Sequence, residues 1–145
     1  MAGDDNWGVH AILRKGFVER LEDLRAVSPR VELVVLFGSV ARGRSRPDSD
    51  LDVAVRCDGP ADLDALYLLL APRLATTLVD LVDLRRTGSL LAFQVARHGR
   101  LLYERDPGAF RSFQSLASRR YCDTDKLRRA QRRSIHAFLE RQGLE

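Results

Sequence analysis

The sequence predicts an α/β (α+β) fold, with a mixed β-sheet of about four strands flanked by helices and a helical C-terminal extension. Short apolar runs rich in valine and leucine, typical of buried strands, alternate along the chain with segments of helical periodicity. Only helical patterns follow residue 107. Alternating strands and helices are expected to form a sheet on which the helices pack. We therefore expect a single domain over residues 1–145, with a core over about 31–105.

Each element is predicted from its apolar pattern and from the residues that end it. Proline at position 29 should end the first helix, and Gly99 should end the last helix before the extension. Pro72 is expected to bend or shorten the helix that contains it. The predicted elements are helix 9–26, strand 31–38, strand 51–57, helix 61–75, strand 77–86, helix 89–99 and strand 100–105.

The C-terminal extension is predicted to be helical over about 107–143. Asp106 should cap the first helix, with Pro107 in its first turn, and a break is expected near residues 122–124. Two apolar clusters recur at helical spacing. We expect the first to pack on the sheet, and the second fits a binding partner better. The first is Phe110, Phe113, Leu116 and Ala117, and the second is Leu127, Ala130, Ile135, Phe138 and Leu139.

Composition excludes several classes of protein. No apolar run is long enough to span a bilayer, and the N-terminal residues lack the pattern of a secretory signal. The two cysteines, Cys57 and Cys122, support neither a disulfide framework nor a zinc site. We therefore expect a cytoplasmic protein without a membrane partner. Residues 107–145 carry a net charge of +5, which fits an acidic partner, nucleic acid or simply the solvated face of a helix.

Gly38 and Ser39 directly follow a buried strand. Glycine allows the backbone to pass close to another group, and the next helical turn would direct free N–H groups and the Ser39 hydroxyl outward. Arg42, Arg44 and Arg46 follow, and arginine matches phosphate oxygens well. The turn is thus a candidate phosphate-binding site, although a plain turn with a solvated basic loop would have the same sequence.

Asp50 and Asp52 lie two residues apart at the start of a strand, so their side chains point to the same face. Two adjacent carboxylates repel each other, and burying them is costly unless a cation lies between them. Mg²⁺ commonly binds one or two carboxylates and completes its shell with water and substrate phosphates. The pair therefore predicts a magnesium site beside the phosphate turn.

A third carboxylate is expected in the strand TTLVDLVDLR. Asp80 and Asp83 lie three residues apart, so they face opposite sides of the strand and cannot both join one site. Asp80 is flanked by apolar strand residues, whereas Asp83 lies near the strand end, before Arg85 and Arg86. We expect Asp80 to complete the site, with Asp83 as the alternative.

These residues resemble the nucleotidyltransferase superfamily typified by DNA polymerase β. The stretch GSVARGRSRPDSDLD (38–52), followed by Val79-Asp80-Leu81, is similar to the motif of its smallest members, the minimal nucleotidyltransferases. The C-terminal segment RRYCDTDKLRRAQRRSIHAFLE (119–140) further resembles the antitoxin-type members that pair with HEPN-domain ribonuclease toxins. The core resemblance covers about 31–85.

The resemblance implies a nucleotidyltransferase fold and a transfer of AMP from ATP that uses two Mg²⁺ ions. Asp50 and Asp52 would hold the metals that bridge the triphosphate, and Asp80 would hold the catalytic metal and help to take the acceptor's proton. Gly38 and Ser39 would grip the β and γ phosphates, with Arg42 and Arg46 nearby. For antitoxin-like members, the implied acceptor is a tyrosine hydroxyl of the HEPN toxin. Attachment of AMP would neutralise the toxin.

Three other readings remain open. The chain could modify a small hydroxylated molecule such as an aminoglycoside, although its length leaves little for a substrate pocket. It could be a non-catalytic antitoxin that acts by occlusion, although such a binder has no need of clustered carboxylates. Direct nucleic-acid binding is the weakest reading, because no aromatic stacking platform accompanies the basic charge.

Overall fold

The computed structural model describes residues 21–41 and 50–143. Most of the predicted helix 9–26 lies outside these residues, and its described end is a helix over Leu24–Val27. The remaining predicted helices and strands are found with boundary shifts of a few residues. The elements are α1 (Leu24–Val27), β1 (Val31–Phe37), α2 (Gly38–Ala41), β2 (Leu51–Cys57), α3 (Leu63–Arg73), β3 (Val79–Asp83), α4 (Ser89–His98), β4 (Arg100–Glu104) and α5 (Ala109–Arg141).

The four strands form one mixed sheet in the order β3-β2-β1-β4. β1 pairs antiparallel with β2 and with β4, whereas β2 and β3 run parallel. Parallel neighbours require a crossover, and α3 supplies it. The predicted fold class is therefore confirmed. β3 is an edge strand, which leaves one side of it unpaired in the described sheet.

The sheet has an apolar cluster on each face, as the period-two alternation of its strands requires. Val34, Leu36, Val53 and Val55 belong to the cluster that also includes buried residues of α1 and α3. Leu33, Val35 and Ala54 belong to the cluster that α4 and α5 complete. All seven of these strand side chains are fully buried, so β1 and β2 form the centre of the core.

The C-terminal extension differs from its prediction in two respects. Helix α5 runs without a break through residues 122–124, because this segment contains no glycine or proline and the Thr124 hydroxyl bonds within the helix, to the carbonyls of Arg120 and Tyr121. Asp106 is not the N-cap, which is Gly108. The Glu104 carboxylate instead accepts hydrogen bonds from the backbone N–H groups of Gly108 and Phe110.

In the part of the chain described here, no helix combines the length and the apolar character that crossing a bilayer requires.

Candidate active site

The turn after β1 brings the backbone against an aspartate. Gly38 begins α2 with a φ of +77°, in the left-handed region that favours glycine. Phe37, the residue before it, pairs with Asp52 on β2. A Cβ atom at position 38 would overlap Asp52 Oδ2 and would lie 3.0 Å from Asp52 Cγ. The predicted close approach at Gly38 is thus present, and the group approached is a carboxylate.

The parallel register of β2 and β3 places Asp52 beside Asp80. The two residues are direct Cα partners across the pair, and residues adjacent across a sheet point to the same face. Asp50 immediately precedes β2 and belongs to the same alternation as Asp52. Leu51 extends the strand connection by donating its N–H to the carbonyl of Leu78 at 2.7 Å. Three carboxylates therefore gather at the end of the sheet next to Gly38.

The charges of this group act on Asp52 in particular. Partial burial raises the pKa of the Asp52 carboxyl above its ordinary value, and the negative charges of Asp80 and Asp50 raise it further. The ionised form of Asp52 is thus unfavourable by itself, so a cation bound among these carboxylates would be favoured.

The burial of Asp80 and Asp83 is the reverse of what their neighbours in the sequence suggest, since the apolar strand residues flank Asp80. Asp80 is exposed because β3 is an edge strand. Asp83 is 6% exposed, and its Oδ1 accepts the backbone N–H of Arg85 at 3.0 Å. Asp83 pairs with Val55, whose side chain belongs to the cluster on the opposite face from Ala54. The strand parity predicted from the sequence agrees with this arrangement, whereas the apolar neighbours of Asp80 do not indicate its burial.

The chemistry of the donor set can be compared with that of a magnesium site. Among residues 21–41 and 50–143, no three His, Cys, Asp or Glu side chains are already arranged to hold a metal ion. Nevertheless, the three gathered side chains offer hard carboxylate oxygens, which Mg²⁺ prefers, and they repel one another without it. Asp50, Asp52 and Asp80 are thus the residues that could hold Mg²⁺.

The other predicted phosphate ligands are only partly described. Ser39 is exposed in α2, while Arg42 and Arg46 lie outside the described residues. The sequence argument missed Arg100, whose Nε donates to the carbonyl of Ala41, the last residue of α2, at 3.2 Å. No signal in the sequence connects two residues so far apart in the chain.

Residues 19–108 match the family described as "Polymerase beta, Nucleotidyltransferase". A "Protein adenylyltransferase MntA" from Shewanella oneidensis is 40% identical over 83 residues, which are 55% of this chain and 59% of that protein. A protein of the same name from Aphanizomenon flos-aquae is 30% identical over 130 residues, covering 80% of this chain and 85% of that protein. This chain therefore spans less than two thirds of the Shewanella relative.

Two solved structures share the fold. A chain of "Crystal structure of the toxin-antitoxin with AMP-PNP" superposes with a TM-score of 0.66 at 28% identity, covering 82% of this chain and 98% of that one. A chain of the complex of a tri-AMPylated Shewanella oneidensis HEPN toxin with MNT antitoxin gives a TM-score of 0.61 at 27% identity. That superposition covers 83% of this chain and 96% of the other chain.

Proposed function

This chain belongs to the polymerase beta nucleotidyltransferase family, and on that premise we propose that it transfers AMP from ATP to a tyrosine hydroxyl of a cognate HEPN toxin. The modification would neutralise the toxin, which makes the chain an antitoxin. We propose the cytoplasm as its compartment, since ATP is available there.

The observation that carries the proposal is the register of β2 and β3. It sets Asp52 beside Asp80 at the strand end where Gly38 lets the backbone approach. A fold that needed only to bind a partner would gain nothing from adjacent carboxylates that raise the pKa of Asp52. The arrangement is explained if a cation and a triphosphate occupy this end of the sheet.

Each residue of the site has a role in the proposed transfer. Asp50 and Asp52 would hold Mg²⁺ against the triphosphate, and Asp80 would hold a second Mg²⁺ near the acceptor. Bound Mg²⁺ would neutralise the charge that develops on the attacking and leaving oxygens. The backbone of the Gly38–Ala41 turn and the Ser39 hydroxyl would donate hydrogen bonds to the terminal phosphates. Arg42 and Arg46, which follow this turn in the sequence, would also bind the terminal phosphates.

The reaction itself is an in-line displacement at the α-phosphorus. The tyrosine oxygen forms a bond to that phosphorus, the bond to the bridging oxygen breaks, and pyrophosphate leaves. The tyrosine proton passes to Asp80 or to water. Little covalent chemistry falls to the protein, so the alignment of the tyrosine oxygen with the α-phosphorus accounts for most of the rate.

The relatives support the acceptor class. Two of them are named protein adenylyltransferase, and one of the structurally similar complexes contains an AMPylated HEPN toxin. The AMP-PNP complex of a toxin-antitoxin pair supports ATP as the donor.

The test uses ATP labelled at the α-phosphate, Mg²⁺, the full chain and its candidate HEPN partner. Label on the partner, located by intact mass and peptide mapping, is the expected result. Asp50→Ala/Asp52→Ala should abolish it, whereas Asp64→Asn, which changes an exposed carboxylate on α3, should not. A partner that is bound and silenced without label would overturn the proposal and favour occlusion.

A further inference from the structure

The second half of α5 extends into solvent. From Arg129 to Arg141 every residue except Leu139 is exposed. Contacts with α4 lie earlier in α5, where Phe93 stacks on Tyr121 with ring centroids 4.1 Å apart and Ser89 Oγ lies 3.3 Å from Thr124 Oγ1. The Arg128 guanidinium then lies over the Tyr121 ring, 4.6 Å from its centroid. We call residues 126–143 the basic arm.

The basic arm continues an apolar stripe that begins on the body of the protein. Four large side chains of α5 are exposed by 39–59% of their surface. At about 100° of rotation per residue they fall within an arc of roughly 100°, and they span about 33 Å along the helix axis. These residues, which define the apolar stripe, are Leu116, Leu127, Ile135 and Phe138.

An isolated helical segment of this length is marginally stable in water. An apolar row rimmed by charged residues is a common signature of a protein interaction site. Because α5 is continuous from the sheet to Arg141, the arm is held in helical form on one side by the body. Its free end has an apolar face that remains uncovered in the described structure.

Charge discriminates among the possible occupants of the stripe. The basic arm carries six basic residues and one acidic residue, so two copies of the arm would repel each other. Residues 1–20 carry three basic and three acidic residues, so they have no net negative charge that could complement the basic arm. A nucleic acid would suit the arginines, but it gains little from aliphatic side chains in the middle of the contact.

The body end of the stripe adds a second basic feature. A cleft of about 490 Å³ opens where α5 passes the far ends of β1 and β2, with Leu116 and Arg120 among its lining residues. Arg56 and Arg85 also line it. Arg56 is paired with Glu32 at 2.7 Å, whereas Arg120 forms no ion pair within the described residues. The cleft lies at the opposite strand ends from Asp52 and Asp80.

We propose that the apolar stripe is the docking surface for an acidic amphipathic helix of the toxin, with acidic side chains of that helix reaching the basic arm and the cleft. The inference rests on the proposed function for the identity of the partner. Docking here leaves the carboxylate site at the other end of the sheet free for ATP and tyrosine. Binding and transfer are therefore separable by mutation.

The experiment measures the dissociation constant of the full chain for its candidate HEPN partner by titration calorimetry. Leu127→Glu/Ile135→Glu should weaken binding by more than 30-fold, because it places two charges in the apolar contact and opposes an acidic helix. The matched control is Ala137→Glu, which adds a carboxylate to the same arm about 110° from the centre of the stripe. Circular dichroism checks that each variant remains helical, and the wild-type affinity should fall as salt rises.

The outcomes separate this inference from the function on which it rests. Label transfer at saturating toxin should be within about 3-fold of wild type in the stripe variant. Unchanged affinity of that variant, with transfer intact in the wild type, would overturn the docking surface alone. Tight, stripe-dependent binding without any transfer would overturn the proposed activity and leave the surface standing. Loss of self-association or of RNA retention, with toxin affinity unchanged, would assign the stripe to another occupant.

Discussion

Replacing Gly38 by alanine tests whether the turn and the carboxylate site form one unit. The added Cβ atom would overlap Asp52 Oδ2 and would lie 3.0 and 3.1 Å from Asp52 Cγ and Cβ. All three atoms belong to the Asp52 side chain, so the clash is relieved only if that side chain or the turn moves. Either the Asp52 carboxylate rotates away from Asp80 or the turn moves away from β2.

The expected effect has two parts. A left-handed conformation costs an alanine about 1–2 kcal/mol, which corresponds to a fall in Tm of about 2–8 °C for a domain of this size. Displacement of a positioning group by about 1 Å costs on the order of 100-fold in rate. We therefore expect Gly38→Ala to lower AMP transfer by about 100-fold or more while the protein remains folded.

Gly108→Ala is the matched control. Gly108 has a comparable φ of +89°, but a Cβ atom there would meet nothing within 4 Å. The control should lose a similar amount of stability and keep its transfer activity. The assay is transfer of label from ATP to the toxin, with Tm from thermal denaturation. Transfer by Gly38→Ala within 3-fold of wild type would refute the coupling of turn and carboxylate.

Further substitutions address three separate features. Asp52→Asn should reduce transfer by about 100-fold or more. Burial and neighbouring charges raise the Asp52 pKa, so ionised Asp52 destabilises the fold as pH rises above 3.8. Without Mg²⁺, the variant should therefore have a higher Tm than the wild type at neutral pH. Asp80→Asn should lose transfer without losing stability, whereas Asp83→Asn should keep transfer because its amide oxygen can still accept the N–H of Arg85. Asp83→Ala, which removes that acceptor, should lose about 1–3 kcal/mol of stability, measured by urea denaturation. Glu104→Ala should lower Tm by about 1–8 °C through loss of the α5 cap, without changing ATP affinity.

Each of these predictions would be contradicted by a specific result. A fall in Tm for metal-free Asp52→Asn would show that the ionised carboxylate does not destabilise the fold. An equal Mg²⁺-induced rise in the Tm of wild type and variant would show that Asp52 does not bind the metal. Loss of transfer in Asp83→Asn, with transfer retained in Asp80→Asn, would contradict the strand parity. An unchanged Tm for Glu104→Ala would show that solvent satisfies the helix terminus equally well.

Local patterns in the sequence predict most of the fold. The valine-rich runs of β1 and β2 fill the centre of the sheet on both faces, and their boundaries follow from the turn residues around them. The period of two in β3 is enough to predict that Asp80 and Asp83 cannot both join Asp50 and Asp52, whereas the register with β2 decides that Asp80 is the one beside them. These arguments need only backbone geometry.

Features that depend on contacts distant in the chain could not be predicted. Asp80 is exposed because β3 is an edge strand, and strand order is not encoded in the apolar pattern of β3 itself. The α5 cap comes from Glu104 on the preceding strand rather than from the adjacent Asp106. Arg100 reaches Ala41 only because β4 pairs with β1.

The position of β3 at the sheet edge also has a consequence for catalysis. Among the described residues, no strand covers the outer side of β3, so an acceptor as large as a folded protein could approach the exposed Asp80 from that side. The same exposure leaves Asp80, unlike the partly buried Asp52, in contact with water until the acceptor arrives. The bound toxin would then cover the exposed side of the active site, and the site would be complete only while its substrate is bound.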